Sequence, residues 1–331
     1  METFNLPNSQ LTENLETQKK FWEDSFLNWF SGLNIPMIES KLKLGGLEYF
    51  HFSSLVSNHS SKKIISGFGS HQDRKLAAIK CAAETLERIE MLEYFSKNKA
   101  IIPQRLQTSS GWAVHKSKQA ACDKALSESI ERHLLLKSFF IHKWSGFKLI
   151  QKIEADDMTL FLTLGKYTYN NQVSILVAAH SKKFQGVSFG YGLGNLDQIN
   201  DSTFWTAAIF EAVDKILLSE ESKDSEPLKD NWIRQEIFNQ LHSPFDFSVL
   251  KQNLEKDFHA NESELISVEY VTVDISEKMN LDFPLYAAYA KSDGLIPLFS
   301  KKHINAEALA YLSPILEKNK IFDLPESHPI L

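Results

Sequence analysis

Gly67-Phe68-Gly69 leading into Cys81-Ala82-Ala83-Glu84-Thr85-Leu86-Glu87-Arg88 decides the reading of this chain, because it occurs twice. The second copy runs from Ser110-Gly111-Trp112-Ala113 into Ala125-Leu126-Ser127-Glu128-Ser129-Ile130-Glu131-Arg132. The register extends on both sides: His71 pairs with His115, Ala77 with Ala121, Lys80 with Lys124, Leu92 with Leu136 and Phe95 with Phe139. Carboxylates three apart on a helix share one face, one turn above each other. Such a pair repels itself by a few tenths of a kcal/mol on an isolated helix. Two pairs in matching frames point to a shared cation that neutralises them.

A third acidic pair, Glu211 and Asp214, lies in Ala207-Ala208-Ile209-Phe210-Glu211-Ala212-Val213-Asp214-Lys215. Each of the three helical stretches follows glycines, the third after Gly186-Val187-Ser188-Phe189-Gly190-Tyr191-Gly192-Leu193-Gly194. Convergent carboxylates are costly to bury unless they hold a hard cation, and Mg²⁺ takes oxygen ligands, waters and phosphates. Glycine-flanked helix starts offer backbone N–H groups to phosphates. Together they suit a nucleoside triphosphate bridged to acidic helices by Mg²⁺. The plain alternative is three amphipathic helices whose acids face water or pair with neighbouring Lys and Arg.

The rest of the composition bounds the partners. The chain has 331 residues, enough for one large domain or two ordinary ones with a substantial core. Its hydrophobic content of 43% and charged content of 24% are those of a globular protein. A net charge of −6 gives no overall attraction to nucleic acid or anionic membrane, so neither is expected as a partner. Cys81 and Cys122 both sit in helical patterns, which shows no disulfide framework or zinc motif and favours a reducing compartment. With no basic-then-apolar amino terminus and no long apolar run, a cytoplasmic location is expected.

Along the chain, aromatic residues in 11–33 (Phe21, Trp22, Phe26, Trp29, Phe30) suggest an amphipathic helix or helix pair. Strands are expected at 48–52 and 63–65, a Gly67-Phe68-Gly69 turn, and helices over 72–97 and 117–139 separated by Pro103. Alternating stretches at 146–165 and 172–181 read as strands, the 186–194 patch as a turn or substrate loop, and Ser202 to about Ser219 as a helix. A polar loop at 223–231, a helix at 249–258 and strands near 265–274 and 284–290 complete the expectation. Helices alternate with strands and the front half is duplicated. That implies an α+β fold of duplicated helix-on-sheet units in one intertwined body, with 1–34 as an amino-terminal helical segment and 35–331 as the main domain.

Several residues have bland readings. His71 and His115, near helix starts, suit capping or packing more than catalysis. Cys81 and Cys122 suit helix packing more than nucleophilic work, although Lys118 lies one turn before Cys122. Lys62, Lys63 and His59 suit a solvated edge. The 190–194 patch lacks the spacing of a dinucleotide site.

The three ordered signatures resemble those of the YcaO family: a glycine turn then Ser-x-x-Glu-x-x-Glu-Arg, an Asn-Gly-Leu-Ala-like turn then Leu-x-Glu-x-x-Glu-Arg, and Gly190-Tyr191-Gly192 leading to Glu211-Ala212. The likeness continues through Tyr270-Val271-Thr272-Val273-Asp274-Ile275 to a tail with His328-Pro329, covering about residues 35–331. It implies a YcaO-like fold and ATP- and Mg²⁺-dependent phosphorylation of a backbone amide oxygen, with azoline or thioamide formation on a peptide or protein. It also implies Glu84, Glu87, Glu128, Glu131 and Glu211 as Mg²⁺ and ATP-site acids, joined by Asp214, with Gly67 and Gly111 shaping the approaches. Arg88 and Arg132 would hold a Glu or touch phosphate. A leader-binding or sulfur-transfer partner is implied, with the amino-terminal aromatics free to dock it or a second copy in a homodimer. The chain departs from the pattern at Phe68 (Lys in the family), Cys81 (Ser), Asp214 (Gln) and Ile216 (Arg), and its tail has only Pro325 and Pro329 in place of Pro-x-Pro-x-Pro. The departures leave a catalytically inactive nucleotide-binding or scaffold protein as the alternative.

Overall fold

Asp73 and Ser117 start the two copied helices in the same way. Each side chain accepts the N–H of the third residue on, Leu76 and Ala120 respectively. Two residues earlier, His71 Nδ1 accepts the Asp73 N–H at 2.8 Å, and His115 Nδ1 accepts the Ser117 N–H at 3.3 Å. The sequence repeat is therefore a repeat of hydrogen bonds, and both histidines cap.

The computed structural model describes residues 8–44, 46–58, 63–98, 103, 106–155, 157–182, 187–221, 267–298, 304–322 and 324. It begins with α1 (Asn8–Gly32), then β1 (Met37–Leu44), β2 (Leu47–Asn58), β3 (Lys63–His71) and α2 (Arg74–Lys97). The second copy is β4 (Trp112–His115) and α3 (Lys118–His142). A meander of β5 (Phe147–Ala155), β6 (Met158–Tyr169), β7 (Gln172–Ser181) and β8 (Val187–Asn195) leads to α4 (Ser202–Glu221). Beyond these lie β9 (Glu269–Asp274), α5 (Ile275–Met279), β10 (Tyr286–Lys291) and α6 (Ala306–Lys318). Among the described residues the strands form antiparallel sheets in the orders β1-β2-β3, β4-β10-β9 and β5-β6-β7-β8. Helix α2 packs on β3 and β2 and reaches β4, α3 lies between β10 and β4 on one side and β6 and β7 on the other, and α4 packs on β8 and β7.

Glycine sets how closely each helix approaches. A Cβ at Gly67 would run into Thr85 Oγ1 and come within 2.7 Å of the Cys81 carbonyl. At Gly190 it would meet the Ala208 carbonyl and lie 2.5 Å from the Ala212 nitrogen. At Gly111 it would meet Ser129 Oγ, and the φ of +78° there also favours glycine. Cys81 and Thr85, Ala125 and Ser129, Ala208 and Ala212 occupy the same places relative to Glu84, Glu128 and Glu211. A glycine in a strand, or in the case of Gly111 just before one, thus packs against a small-residue helix face in all three units. The third unit, marked in sequence by Glu211 and Asp214 after its glycine patch, differs from the other two in its strand-to-helix connection.

This corrects two expectations. Gly67-Phe68-Gly69 is not a turn but lies inside β3, and the 186–194 patch is largely strand β8. Both were read as turns because glycine is the usual turn residue; here it removes a side chain between packed backbones. The 146–165 stretch divides into β5 and β6, since residues on either side of 157 pair with each other. Strands β1 and β4 and helix α6, with Pro314 inside it, had no counterpart in the sequence reading. The expected helices over 72–97, 117–139 and 202–219 correspond to α2, α3 and α4. The 223–231 loop, the 249–258 helix, Lys62, His59 and the tail with Pro325, His328 and Pro329 lie outside the described residues.

Helix α1 is built into the body. Phe26 and Phe30 are fully buried with Leu285 and Phe283, Trp22 stacks on Phe26, and Trp22 Nε1 donates to the Pro284 carbonyl at 2.7 Å. Lys75 on α2 pairs with Glu23 and Asp24 of α1. Of these aromatics Phe26 and Phe30 are core residues, as an amphipathic helix implies, Trp22 and Trp29 are half-buried against them, and Phe21 is exposed. No helix among the described residues is long and apolar enough to cross a membrane.

Candidate functional site

Strands β3, β4 and β8 each stand at the edge of their sheet, paired on one side only among the described residues. An edge strand leaves N–H groups that need acceptors. Here helix carboxylates supply them. Phe68 N–H donates to Glu84 at 2.7 Å, Val114 N–H to Glu87 at 3.0 Å, and Tyr191 N–H to Glu211 at 3.0 Å. The fold therefore brings three sheet edges and three acidic helix faces together.

The expected acids act on one another. Burial pushes the Glu87 carboxyl up to about 7; Glu84 adds to the rise, while the Val114 N–H, Lys124 and Arg88 oppose it. Burial also raises Glu128 well above the usual carboxylate range, with Glu87, Glu131 and Glu84 adding repulsion against the pull of Arg132. Glu131 is raised by burial and by Glu211, again opposed by Arg132. Glu84, Glu87, Glu128, Glu131 and Glu211 thus form one electrostatic group drawn from all three units. The solvated-face alternative fails for Glu87, Glu128 and Glu131, whose burial is the largest cause of their shifts.

The arginines differ. Arg88 pairs with Glu84, donates to Ser66 Oγ at 2.8 Å, and lies over the Phe68 ring at 5.8 Å, so it holds a carboxylate in place. Arg132 lies 3.1 Å from Glu131 and 5.2 Å above the Tyr191 ring. Nη1 is the atom that faces Glu131, in an ion pair without hydrogen-bond geometry, and Arg132 Nε is buried without an acceptor, as is Arg88 Nε. A buried guanidinium donor without an acceptor, beside raised carboxyls, fits an anionic ligand.

Asp214 faces elsewhere. Its Oδ1 accepts from Tyr49 Oη at 2.9 Å, and its Oδ2 accepts from Ser70 Oγ and lies 3.1 Å from His51 Nδ1. These contacts tie α4 to the first sheet and occupy both oxygens. Sequence reasoning missed Tyr49, His51 and Ser70, since nothing in their spacing links them to a residue so distant in the chain. Gly67 and Gly111 carry the helix packing described above. Ile216, where the family pattern has Arg, is fully buried in the cluster with Tyr49, Phe210 and Val213. Cys81 is a packing residue whose thiol donates to the Gly67 carbonyl at 3.4 Å and is pushed up to about 12 by burial. Cys122 is also buried.

The donor set fits a hard cation shared with a ligand. Among the described residues no three metal-binding side chains form a closed cluster. Mg²⁺ is commonly held by one or two carboxylates, with waters and phosphates completing its shell. The mutual repulsion of Glu87, Glu128 and Glu131 supplies the negative charge, and Arg132 supplies donors for an anion beside it.

No family model matches the sequence. No curated protein matches it either. Among solved structures, YcaO from Methanopyrus kandleri, bound with AMPPCP and Mg²⁺, aligns over 92% of this chain and 95% of its own with a TM-score of 0.51 at 10% identity. A heterocyclase in complex with substrate and cofactor aligns over 76% of this chain and 48% of its own, with a TM-score of 0.44 at 9% identity. The heterocyclase TruD aligns over 79% and 37%, with a TM-score of 0.36 at 10% identity. Near-complete coverage in both directions at such low identity is a likeness of architecture, and the chain has a YcaO-like α+β fold.

Proposed function

We propose that this chain is an ATP- and Mg²⁺-dependent enzyme that activates a backbone amide of a peptide or protein, giving an azoline or a thioamide. The observation that carries the reading is the convergence of Glu84, Glu87, Glu128, Glu131 and Glu211 from three helices, with the Glu87, Glu128 and Glu131 carboxyls raised by desolvation and by their acidic neighbours. The YcaO of similar fold was solved with AMPPCP and Mg²⁺, which supports the same ligand class here.

Bound ATP would supply the phosphoryl group that makes an amide oxygen a leaving group. The chain's own residues have these tasks. One or two of Glu87, Glu128 and Glu131 would hold Mg²⁺, with waters and ligand oxygens completing its shell, and Glu84 and Glu211 would complete the anionic wall, fixed by the Phe68 and Tyr191 N–H groups. Arg132, stacked on Tyr191, would take an anionic oxygen with its unpartnered Nε. Dense packing of strand glycines against the helices keeps the carboxylates rigid, which limits their reorganisation when charge moves. The peptide substrate enters with a separate leader-binding or sulfur-transfer partner.

One observation favours a second reading. Ile216 is sealed in the core where the family pattern has Arg, and Phe68 replaces a Lys, so the chain would bind nucleotide as an inactive scaffold. Calorimetric titration with a non-hydrolysable ATP analogue, with and without Mg²⁺, tests nucleotide binding. Magnesium-dependent binding in the micromolar range, about 8 kcal/mol, that Glu128→Ala abolishes supports the site. No binding at millimolar analogue overturns the enzyme reading and leaves an inactive scaffold that does not use nucleotide. Turnover of peptide then separates enzyme from scaffold.

A further inference from the structure

Lys80 and Lys124 are equivalent residues of the two copied helices, each one turn before the first Glu of its pair, Glu84 or Glu128. A helical residue four positions from another lies on the same face, so each lysine shares the face of its helix's first acid, one turn towards the amino terminus, and Lys124 acts on the Glu87 charge. Lys80 Nζ is fixed to the Ser70 carbonyl at 3.2 Å, and Ser70 is itself tied to Asp214. Both lysines are exposed, and among the described residues neither is in an ion pair.

The two ammonium groups feel each other. The Lys80 charge is disfavoured by burial of its surroundings and by Lys124, and Asp214 only partly offsets this. His71 lies beside Lys80 and His115 beside Lys124, each imidazole held below its usual range by burial and by the adjacent lysine. Because both Nδ1 atoms accept backbone N–H groups, the neutral rings carry their protons on Nε2 and have one donor left. The third unit has Ala207, exposed, at the same position, so that position adds no third cation. Two neighbouring cations with a neutral donor beside each make a seat for a chain of negative charge. The acids one turn below would repel that chain unless a cation lay between them, which fixes its orientation.

We propose that Lys80 and Lys124 form a two-lysine clamp for the phosphate chain of the ligand held at the acidic group, with His71 and His115 as auxiliary donors. The proposal deepens the nucleotide reading above and rests on it for the identity of the ligand. It assigns to the two repeats a positioning role that the Glu pairs do not have.

The test is calorimetric titration of the full chain with sodium tripolyphosphate, with AMPPCP and with adenosine, each in the presence of Mg²⁺. Wild type is expected to bind tripolyphosphate and AMPPCP, with each displacing the other. Lys80→Met/Lys124→Met is expected to weaken both at least tenfold with unchanged circular dichroism. Lys80→Arg/Lys124→Arg should restore binding to within about threefold, since Arg keeps the charge. Lys19→Gln/Lys20→Gln removes the same charge from exposed sites on α1 and should leave binding unchanged. An equal loss in that control, or undiminished AMPPCP binding in the Met pair, overturns the clamp, and in the second case the nucleotide reading survives. If wild type binds tripolyphosphate through the two lysines but not AMPPCP, the clamp stands and the nucleotide reading fails. Failure of wild type to bind tripolyphosphate overturns the clamp whatever AMPPCP does.

Discussion

Glu87 on α2 accepts a hydrogen bond from the N–H of Val114, 3.0 Å away on the strand of the next unit. Asp214 on α4 occupies the place of Glu87 in the third unit, and it accepts from Ser70, which holds the place of Val114 in the first. The second acid of a helix therefore reaches the edge strand of another unit in both cases. The first acid, Glu84 or Glu211, braces its own. Two positions on one helix face thus divide the labour: one fixes a strand to its helix, the other fixes unit to unit.

That division makes the pH response predictable. The folded-state pKa of Glu87 is about 7 against an unfolded value of 4.5, so between these the folded protein holds a proton the unfolded chain has lost. Stability from this group is present at low pH and is lost as pH rises through about 7. Buried His133, pushed down to about 3, acts oppositely between about 3 and 6.5, so the wild-type curve alone mixes the two. Glu87→Gln keeps an acceptor for Val114 but removes the charge. Its melting temperature should exceed that of wild type at pH 8 and approach it at pH 5, by at most about 3 kcal/mol of stability. A constant difference across that range contradicts the shift. Saturating Mg²⁺ with ligand should shrink the difference.

The helix packing is tested within one strand. Gly190→Ala places a methyl against the Ala208 backbone, which cannot retreat without moving α4, whereas Gly192→Ala meets Ile175 Cδ1 at 3.5 Å. Gly190→Ala should cost about 3 kcal/mol or more and Gly192→Ala under about 1 kcal/mol. Urea denaturation of the two variants decides it, and equal effects would show that β8 is not held as described.

Asp214 is expected to matter for stability before ligand binding. Asp214→Ala leaves Tyr49, Ser70 and His51 without their shared acceptor and should cost about 2–4 kcal/mol. An unchanged denaturation midpoint, with ligand affinity reduced instead, would return Asp214 to the ligand site.

Ile216 separates a lost enzyme from a rebuilt one. Ile216→Arg would bury a guanidinium among Tyr49, Phe210 and Val213, where no described carboxylate other than Asp214, already engaged, is at hand. The variant should lose several kcal/mol and be poorly soluble, with no gain of ATP hydrolysis. Phe68→Lys, at a half-buried position beside Glu84, should fold normally. A folded Ile216→Arg protein with new ATPase activity would support decay from an ancestral site.

Much of the site was legible because its signals are local. Helix registers, the paired acids and the matched caps depend on residues within a few turns of one another, and α2, α3 and α4 lie where the periodicity puts them. What escaped had no local signal. Strand β4 is short, and its partner β10 lies far along the chain; β1 is exposed over much of its length. The glycines misled because sequence reports the missing side chain and not what fills the space.

The sequence by itself determined that this chain repeats a strand-and-helix unit with two acids on each helix face, since periodicity and spacing are properties of the backbone's own geometry. Only the tertiary structure decided which strand each acid braces, that the acids of all three units feel one another's charge, and that Asp214 and Ile216 engage the body of the protein. Those outcomes depend on which sheet edges meet, on the water excluded there and on the charges then left facing each other, none of which is a property of any single segment.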